Sequence, residues 1–190
     1  MIQFRRYHAQ VLSKGLTLLR QAALVAMGSL VMSQTLAQTA EGSAQAKLSQ
    51  EVTADTPRLL KTLETLTAIE SGSLDLEGLA RVAQVIAERL KAAGMSIEMI
   101  PAKAPADHVL LKGATLGSMV YGRLKGKGSK KVLLIAHMDT VYTKGMGAKQ
   151  PFRIDGNRAY GLGIADDKQG IALIIHTMAI LRSMNFHDYG

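Results

Sequence analysis

A histidine and an aspartate end one apolar segment of this chain, and a pair of aspartates opens another segment further on. His137 and Asp139 follow the apolar run at 132–136, and Asp166 and Asp167 follow a glycine-containing stretch. Imidazole nitrogen and carboxylate oxygen are ligands that a divalent zinc ion takes readily. The chain contains no cysteine, so disulfides and thiolate ligands are excluded, and a zinc site here needs histidine and carboxylates.

His137 and Asp139 are expected to act together. Strand side chains alternate with a period of two, so both side chains leave the end of the strand on the same side. Ligand sites of open α/β sheets lie at such carboxyl ends, and a carboxylate beside a ligating histidine fixes its tautomer. We therefore predict His137 as a metal ligand and Asp139 as the group that orients it. Asp166, at the start of a helix, is placed to bridge two cations.

Each half of this pattern alone has a simpler interpretation. A His-x-Asp sequence at a strand end is commonly a hydrogen-bonded pair. Asp166 and Asp167 could cap a helix, where the positive end of its dipole favours acidic side chains. The occurrence of both halves on neighbouring elements favours a metal site.

The elements that position these residues follow from hydrophobic periodicity and turn signals. The sequence predicts an α/β fold in which helices pack on a mixed β-sheet. The run at 132–136 is short and continuously apolar, which is typical of a central strand buried on both faces. The other predicted elements are helices at about 50–70, 75–93 and 168–184, strands at 95–100 and 118–124, and a hairpin of 152–154 with 158–160.

The first residues have the composition of a secretory signal peptide. Residues 1–21 are basic and lack acids, residues 22–32 are apolar, and small residues follow. We predict a signal peptide at 1–37 and a flexible leader at 38–49, hence a secreted, periplasmic protein with no stable membrane span after processing. An apolar run of this length is too short to span a bilayer. An uncleaved anchor or a misassigned start codon is the alternative.

The net charge of +8 does not by itself indicate a nucleic-acid partner. Four basic residues and no acid lie in the first 40 residues, and aromatic residues make up only 4% of the chain. A nucleic-acid surface combines clustered basic residues with a recognisable motif, which this chain lacks. We therefore predict no nucleic-acid partner.

Two segments resemble the signatures of the dinuclear-zinc aminoacylase and carboxypeptidase family of metallopeptidases. They are residues 133–141 (LLIAHMDTV) and residues 160–170 (YGLGIADDKQG). The likeness extends over about 50–190, and it is greatest to the branch that releases C-terminal glutamate from folate-like substrates. The resemblance implies that this chain is the first part of a zinc-exopeptidase catalytic domain, with His137 on one zinc and Asp166 bridging two. It also implies a cis bond between Asp166 and Asp167, and it suggests no catalytic role for Lys168.

The resemblance also implies parts that this sequence does not contain. The family's general base lies in a Glu-Glu pair after the last helix, but no glutamate follows Asp166 here. Later acidic and histidine ligands are absent, as is the lid domain that makes the dimer contacts of the full-length homodimer. His176 does not match a ligand motif, and we predict it to be a core or surface residue. The 190-residue chain alone is therefore expected to be inactive.

Several functions remain open at this point. A peptidase of this family would act on a small peptide or N-acyl amino acid, so an N-acyl amino acid deacylase or a dipeptidase is an alternative. A non-catalytic, truncated secreted protein is an alternative of another class. The residues after the last helix resemble a loop that enters another strand and not a polar tail, which favours a piece of a longer enzyme.

Overall fold

The structure, a computed structural model, describes residues 42–109 and 111–190. Residues 51–190 form one compact unit. The predicted signal peptide at 1–37 lies outside the described residues, and its cleavage stays a prediction. No helix of the described part is long and apolar enough to cross a membrane.

The first helix, α1, covers residues 42–68. The leader predicted at 38–49 is described from residue 42, and residues 42–49 are helical, so the predicted helix start at about 50 is wrong. These residues are mostly exposed, and their alanine, glutamine and lysine are good helix formers, which accounts for the longer helix. Over 51–68, apolar side chains recur on one face, and Leu63 and Leu66 are buried. The break predicted at 70–73 is confirmed.

The second helix, α2 (Leu76–Ala92), begins with a cap that the sequence supplies. The Asp75 side chain accepts a hydrogen bond from the Gly78 backbone N–H at 3.0 Å, which satisfies one of the free donors of the first turn. Gly94, with φ of 91°, follows the helix end and supplies the left-handed conformation that is common after a helix. The predicted helix at 75–93 is thus confirmed to within one residue at each end.

The buried core joins α1, α2 and the last helix, α3 (Gln169–Ser183). Its members are aliphatic side chains at helical spacing, which is why each helix turns one stripe inward. The core residues are Leu63, Leu66, Val82, Ile86, Leu90, Ile171, Ala172 and Ile175.

Two small antiparallel sheets complete the described elements. Strands β1 (Ser96–Lys103) and β2 (Thr115–Arg123) pair with each other, with an irregularity between Ile100 and Ala102. Strands β3 (Arg153–Asp155) and β4 (Arg158–Tyr160) form the predicted hairpin around a two-residue turn. Gly156 begins that turn with φ of 58°, a conformation that favours glycine.

The prediction of a central strand at 132–136 is wrong for this structure. The segment is irregular, and Val132, Leu133 and Ile135 are 74%, 75% and 81% exposed. A strand buried on both faces needs partner strands at its edges and helices over both faces. Neither two-stranded sheet of the described residues includes this run, so its apolar side chains stay in contact with solvent.

The segment just before this run has a backbone partner. The Lys127 N–H donates to His187 O, and the Gly190 N–H donates to Lys130 O, each at 2.8 Å.

Helices and sheets occur in one chain, which confirms the α/β class. The strands of both sheets pair antiparallel. Among the described residues, Gly72 and Thr140 form an isolated parallel β-bridge.

Candidate metal site

The loop after α1 holds the backbone that carries His137 and Asp139. The Thr140 N–H donates to Ser71 O at 2.8 Å, and the Ser73 N–H donates to Thr140 O at 3.2 Å. The Ser71 hydroxyl, itself fully buried, donates to Met138 O at 2.8 Å. These three bonds fix the end of the segment at 137–140 although the preceding run has no strand partner.

The His137 ring lies between two carboxylates. Its Nδ1 is 3.1 Å from Asp139 Oδ1 and 3.2 Å from the Asp139 carbonyl oxygen. Its Nε2 is 2.8 Å from Asp166 Oδ1. The structure thus brings together all three residues that the sequence singled out, and Asp139 occupies the orienting position predicted for it. Their roles in binding metal stay predictions.

The turn that carries Asp166 requires a glycine. Gly163 has φ of 69°, and a Cβ built on it would lie 2.4 Å from Thr140 Cγ2. The segment Ile164–Lys168 follows as a turn whose backbone is non-helical at Asp166 and Asp167, and the peptide bond between these two residues is cis, as the family resemblance implied. Because Gly163 has no side chain, this turn can lie close to Thr140. Asp166 can therefore reach His137.

The electrostatics of His137 follow from its neighbours. Burial alone would lower its pKa, but the hydrogen bond that the ring donates to Asp166 and the negative charge of Asp139 raise it above the ordinary value. The ring is half exposed, and the Asp166 side chain is 82% exposed. The site is therefore open to solvent, and two carboxylates favour a positive group at this ring.

Lys168 has a structural role that the sequence did not indicate. It is 1% exposed, and its Nζ donates to Leu66 O at 2.8 Å and to Ile69 O at 2.7 Å. Burial lowers the pKa of Lys168 to about 8. The side chain thereby ties the turn that carries Asp166 to the end of α1. A lysine beside two aspartates is usually solvated, so the pattern alone did not predict burial.

The sequence also did not predict that Glu70 would help to hold the loop after α1 in place. Its carboxylate accepts hydrogen bonds from the Gly145 N–H at 2.9 Å and the Gly147 N–H at 2.7 Å. Hydrogen bonds from Gly145 and Gly147 lower the pKa of Glu70 below its ordinary value. No local sequence signal pairs a glutamate with amides about 75 residues away.

His176 was predicted to be a core or surface residue, and the structure places it in the core. It is 7% exposed, its Nδ1 is 2.5 Å from Asp55 Oδ2, and its Nε2 is 2.8 Å from Thr62 Oγ1. Arg89 of α2 donates to the same threonine hydroxyl at 3.0 Å. Both ring nitrogens of His176 are thus occupied by protein groups, and the residue connects all three helices.

The donors at His137 and Asp166 fit part of a zinc site. One imidazole nitrogen and one carboxylate oxygen converge within 2.8 Å, and both are atom types that zinc binds. Across 42–109 and 111–190, no group of three or more His, Asp or Glu side chains converges as a full ligand set would. The described residues therefore supply two ligand atoms and the carboxylate that orients one of them.

Comparison with known proteins gives a family and a relative. Residues 133–190 match the model of peptidase family M20/M25/M40. Over 143 residues, 75% of this chain, the sequence is 42% identical to carboxypeptidase G2 of Pseudomonas sp. (strain RS-16). The chain spans about a third of that relative's length, 32%. The two motifs predicted a resemblance to a family of metallopeptidases and carboxypeptidases. This resemblance is confirmed.

Proposed function

We propose, from the match of residues 133–190 to the model of peptidase family M20/M25/M40, that the protein is a zinc-dependent exopeptidase that hydrolyses a C-terminal amide or peptide bond. The observation that carries the proposal is the convergence of His137 Nε2 and Asp166 Oδ1 at 2.8 Å, with Asp139 on the other ring nitrogen. A ligating histidine whose second nitrogen meets a carboxylate is the usual arrangement of zinc-binding imidazoles.

In this proposal His137 and Asp166 hold the metal, and Asp139 holds the imidazole. Bound zinc ions supply a water of lowered pKa and polarise the scissile carbonyl. Asp166, whose side chain is largely exposed, can use its second oxygen for a second ion, so it is the proposed bridge. The Asp139 carboxylate favours the ring tautomer that leaves Nε2 free for metal.

The substrate we propose is a small peptide or N-acyl amino acid with a C-terminal glutamate, as in folate-like compounds. Support comes from the likeness of residues 50–190, beyond the two motifs, to the glutamate-releasing branch and from 42% identity to a carboxypeptidase. A deacylase or a dipeptidase would use the same His137 and Asp166. An assay of amino-acid release from folate-like, N-acyl and dipeptide substrates by the full-length protein separates these three activities.

The 190-residue chain by itself is proposed to have negligible peptidase activity. Hydrolysis needs a group that takes a proton from the attacking water, and no glutamate follows Asp166 in this sequence. Loss of a general base typically costs about 10²–10⁴-fold in rate. Chelator-sensitive release of glutamate by the purified chain, at a rate typical of peptidases, would contradict this part of the proposal.

Secretion to the periplasm and a homodimeric full-length protein are also part of the proposal. The basic, then apolar, then small-residue order of residues 1–37 supports secretion. The dimer is supported by the family resemblance alone. Cell fractionation and amino-terminal sequencing of the mature protein test the first, and sedimentation of the full-length protein tests the second.

The metal site is tested by zinc titration of the purified chain in a calorimeter. We expect one class of site that is lost in His137→Asn and Asp166→Asn, and that Asp139→Asn weakens by about 10–100-fold. His187→Asn is the matched control, because His187 is a histidine paired with Asn185 outside the site. Zinc binding that persists unchanged in both ligand variants contradicts the proposed site.

A further inference from the structure

Ser73 reaches the proposed metal site from the loop after α1. Its hydroxyl donates to Asp139 Oδ2 at 2.7 Å, while the other oxygen of that carboxylate, Oδ1, faces His137 Nδ1 at 3.1 Å. The two carboxylate oxygens therefore have different partners. A carboxylate held at one oxygen by a hydroxyl cannot rotate without breaking that bond, so Oδ1 stays directed at the imidazole.

The atoms beside His137 Nδ1 determine whether this nitrogen donates or accepts the hydrogen bond. Nδ1 faces a carboxylate oxygen and the Asp139 carbonyl oxygen, and neither of these oxygens carries a hydrogen. The contact on this side therefore requires a proton on Nδ1, which donates it. Nε2 likewise faces a carboxylate oxygen, Asp166 Oδ1 at 2.8 Å, so a neutral ring can donate to only one of the two carboxylates. The Nδ1–H tautomer is the one that leaves Nε2 free for the proposed metal.

We infer that Ser73 is a positioning residue of the metal site, which sets the tautomer of His137 by holding the Asp139 carboxylate. The inference rests on the proposed function, because the consequence of the tautomer is the affinity for zinc. The connection runs from Ser73 Oγ to Asp139 Oδ2, and from Asp139 Oδ1 to His137 Nδ1. Ser73 itself touches neither His137 nor Asp166 through a hydrogen bond that we observe.

The backbone around Ser73 is fixed well enough for this role. Its N–H donates to Thr140 O, and Gly72 forms a parallel bridge with Thr140. A Cβ on Gly72 would lie 2.9 Å from Tyr142 O, so the loop packs tightly against the segment that carries Asp139. Ser73 therefore moves together with the carboxylate that it holds.

The test compares Ser73→Ala with Ser73→Thr in the 190-residue chain. Threonine keeps the hydroxyl and alanine removes it, while neither changes the charge of the site. Ser96→Ala is the matched control, because Ser96 is an exposed serine whose hydroxyl donates to Arg123 O, away from the site. Urea unfolding of each variant checks that the chain remains folded.

Two quantities are measured. The first is the tautomer ratio of the neutral His137 ring without metal, from long-range ¹H–¹⁵N correlations assigned with His137→Asn. The second is zinc affinity by calorimetry. We expect Ser73→Ala to reduce the Nδ1–H tautomer and to weaken zinc binding by about 3–10-fold, less than the 10–100-fold typical of a residue that contacts the ligand directly. Ser73→Thr and Ser96→Ala should match the unaltered chain.

The outcomes separate this inference from the proposed function. An unchanged tautomer ratio in Ser73→Ala overturns the positioning role, whatever the zinc result. A shifted ratio with zinc affinity equal to that of Ser96→Ala also overturns it, because the tautomer would then have no consequence for the metal. Failure of the unaltered chain to bind zinc contradicts the proposed metal site at His137 and Asp166, not the proposed peptidase activity of the full-length protein, and the tautomer ratio still decides whether Ser73 orients the ring.

Discussion

Lys168 donates from its Nζ to the carbonyl oxygen of Ile69 at 2.7 Å. The bond joins the turn that carries a proposed zinc ligand to the loop that carries Ser73. A second bond, to Leu66 O, ends at the last turn of α1. One buried side chain thus fixes the relative position of two segments far apart in sequence, and removing it should affect both.

Replacement of Lys168 by methionine tests this connection. Methionine keeps most of the apolar stem but leaves Ile69 O without its lysine donor, so we expect a loss of about 1–3 kcal/mol in the free energy of unfolding. Urea unfolding of the purified chain measures it, with Lys91→Met, an exposed lysine at the end of α2, as the control. Equal or greater stability of Lys168→Met would mean that the desolvation cost of the buried ammonium outweighs its two hydrogen bonds.

Glu70 gives the fold a predictable dependence on acid. Its pKa is lowered in the folded chain by the amides of Gly145 and Gly147. A carboxyl group with a lowered folded pKa stabilises the fold above its ordinary pKa, and that contribution disappears as the pH falls through the lowered value.

The comparison variant is Glu70→Gln, whose amide does not titrate. We expect Glu70→Gln to be less stable than the unaltered chain at neutral pH and the difference to shrink as the pH falls below the ordinary glutamate range. Thermal unfolding from pH 7 downwards measures the difference, with Glu88→Gln, on the exposed face of α2, as the control. A difference that stays constant across this range contradicts the assignment.

His176 should contribute to the stability of the fold but not to the affinity for zinc. Its ring nitrogens are occupied by Asp55 and Thr62, so His176→Gln breaks at least one buried hydrogen bond, at a cost of roughly 1–3 kcal/mol. Zinc affinity should be unchanged. Calorimetry and urea unfolding of the same sample report both quantities, and a loss of zinc binding in a folded variant would refute the structural role.

The exposed apolar run at 132–135 should make the chain associate with itself. An unpaired apolar segment offers both backbone groups and side chains to another copy. Ile135→Lys should reduce self-association, as seen by sedimentation at rising concentration. It should change stability by no more than about 0.5 kcal/mol, as for other surface substitutions. Marked destabilisation would show instead that Ile135 is buried in solution.

The sequence predicted the helices, the hairpin and the site residues because their signals are local. Periodic leucines in α1 and α2, the glycine after α2 and the turn at Gly156 each specify structure within a few residues. His137, Asp139 and Asp166 were identified by residue type and spacing, and the structure places them within hydrogen-bonding distance.

The features that the sequence did not predict depend on distant parts of the chain. The run at 132–136 has the composition of a buried strand, but composition cannot supply the neighbouring strands that bury it. Lys168 and Glu70 are charged residues with no local partner, and their acceptors and donors lie 75 or more residues away. Their roles became visible only when the fold brought α1, the Gly145 loop and the Asp166 turn together.

The pairing of Asp55 with His176 has a consequence for biosynthesis. The two residues are 121 positions apart, so α1 leaves the ribosome long before its histidine partner is made. At a synthesis rate of about 5–20 residues per second, that interval is roughly 6–24 seconds. During this time Asp55 and Thr62 lack their imidazole partner, while α2 can already pack against α1. The three-helix core is therefore completed only after α3 has emerged and its imidazole contacts both groups.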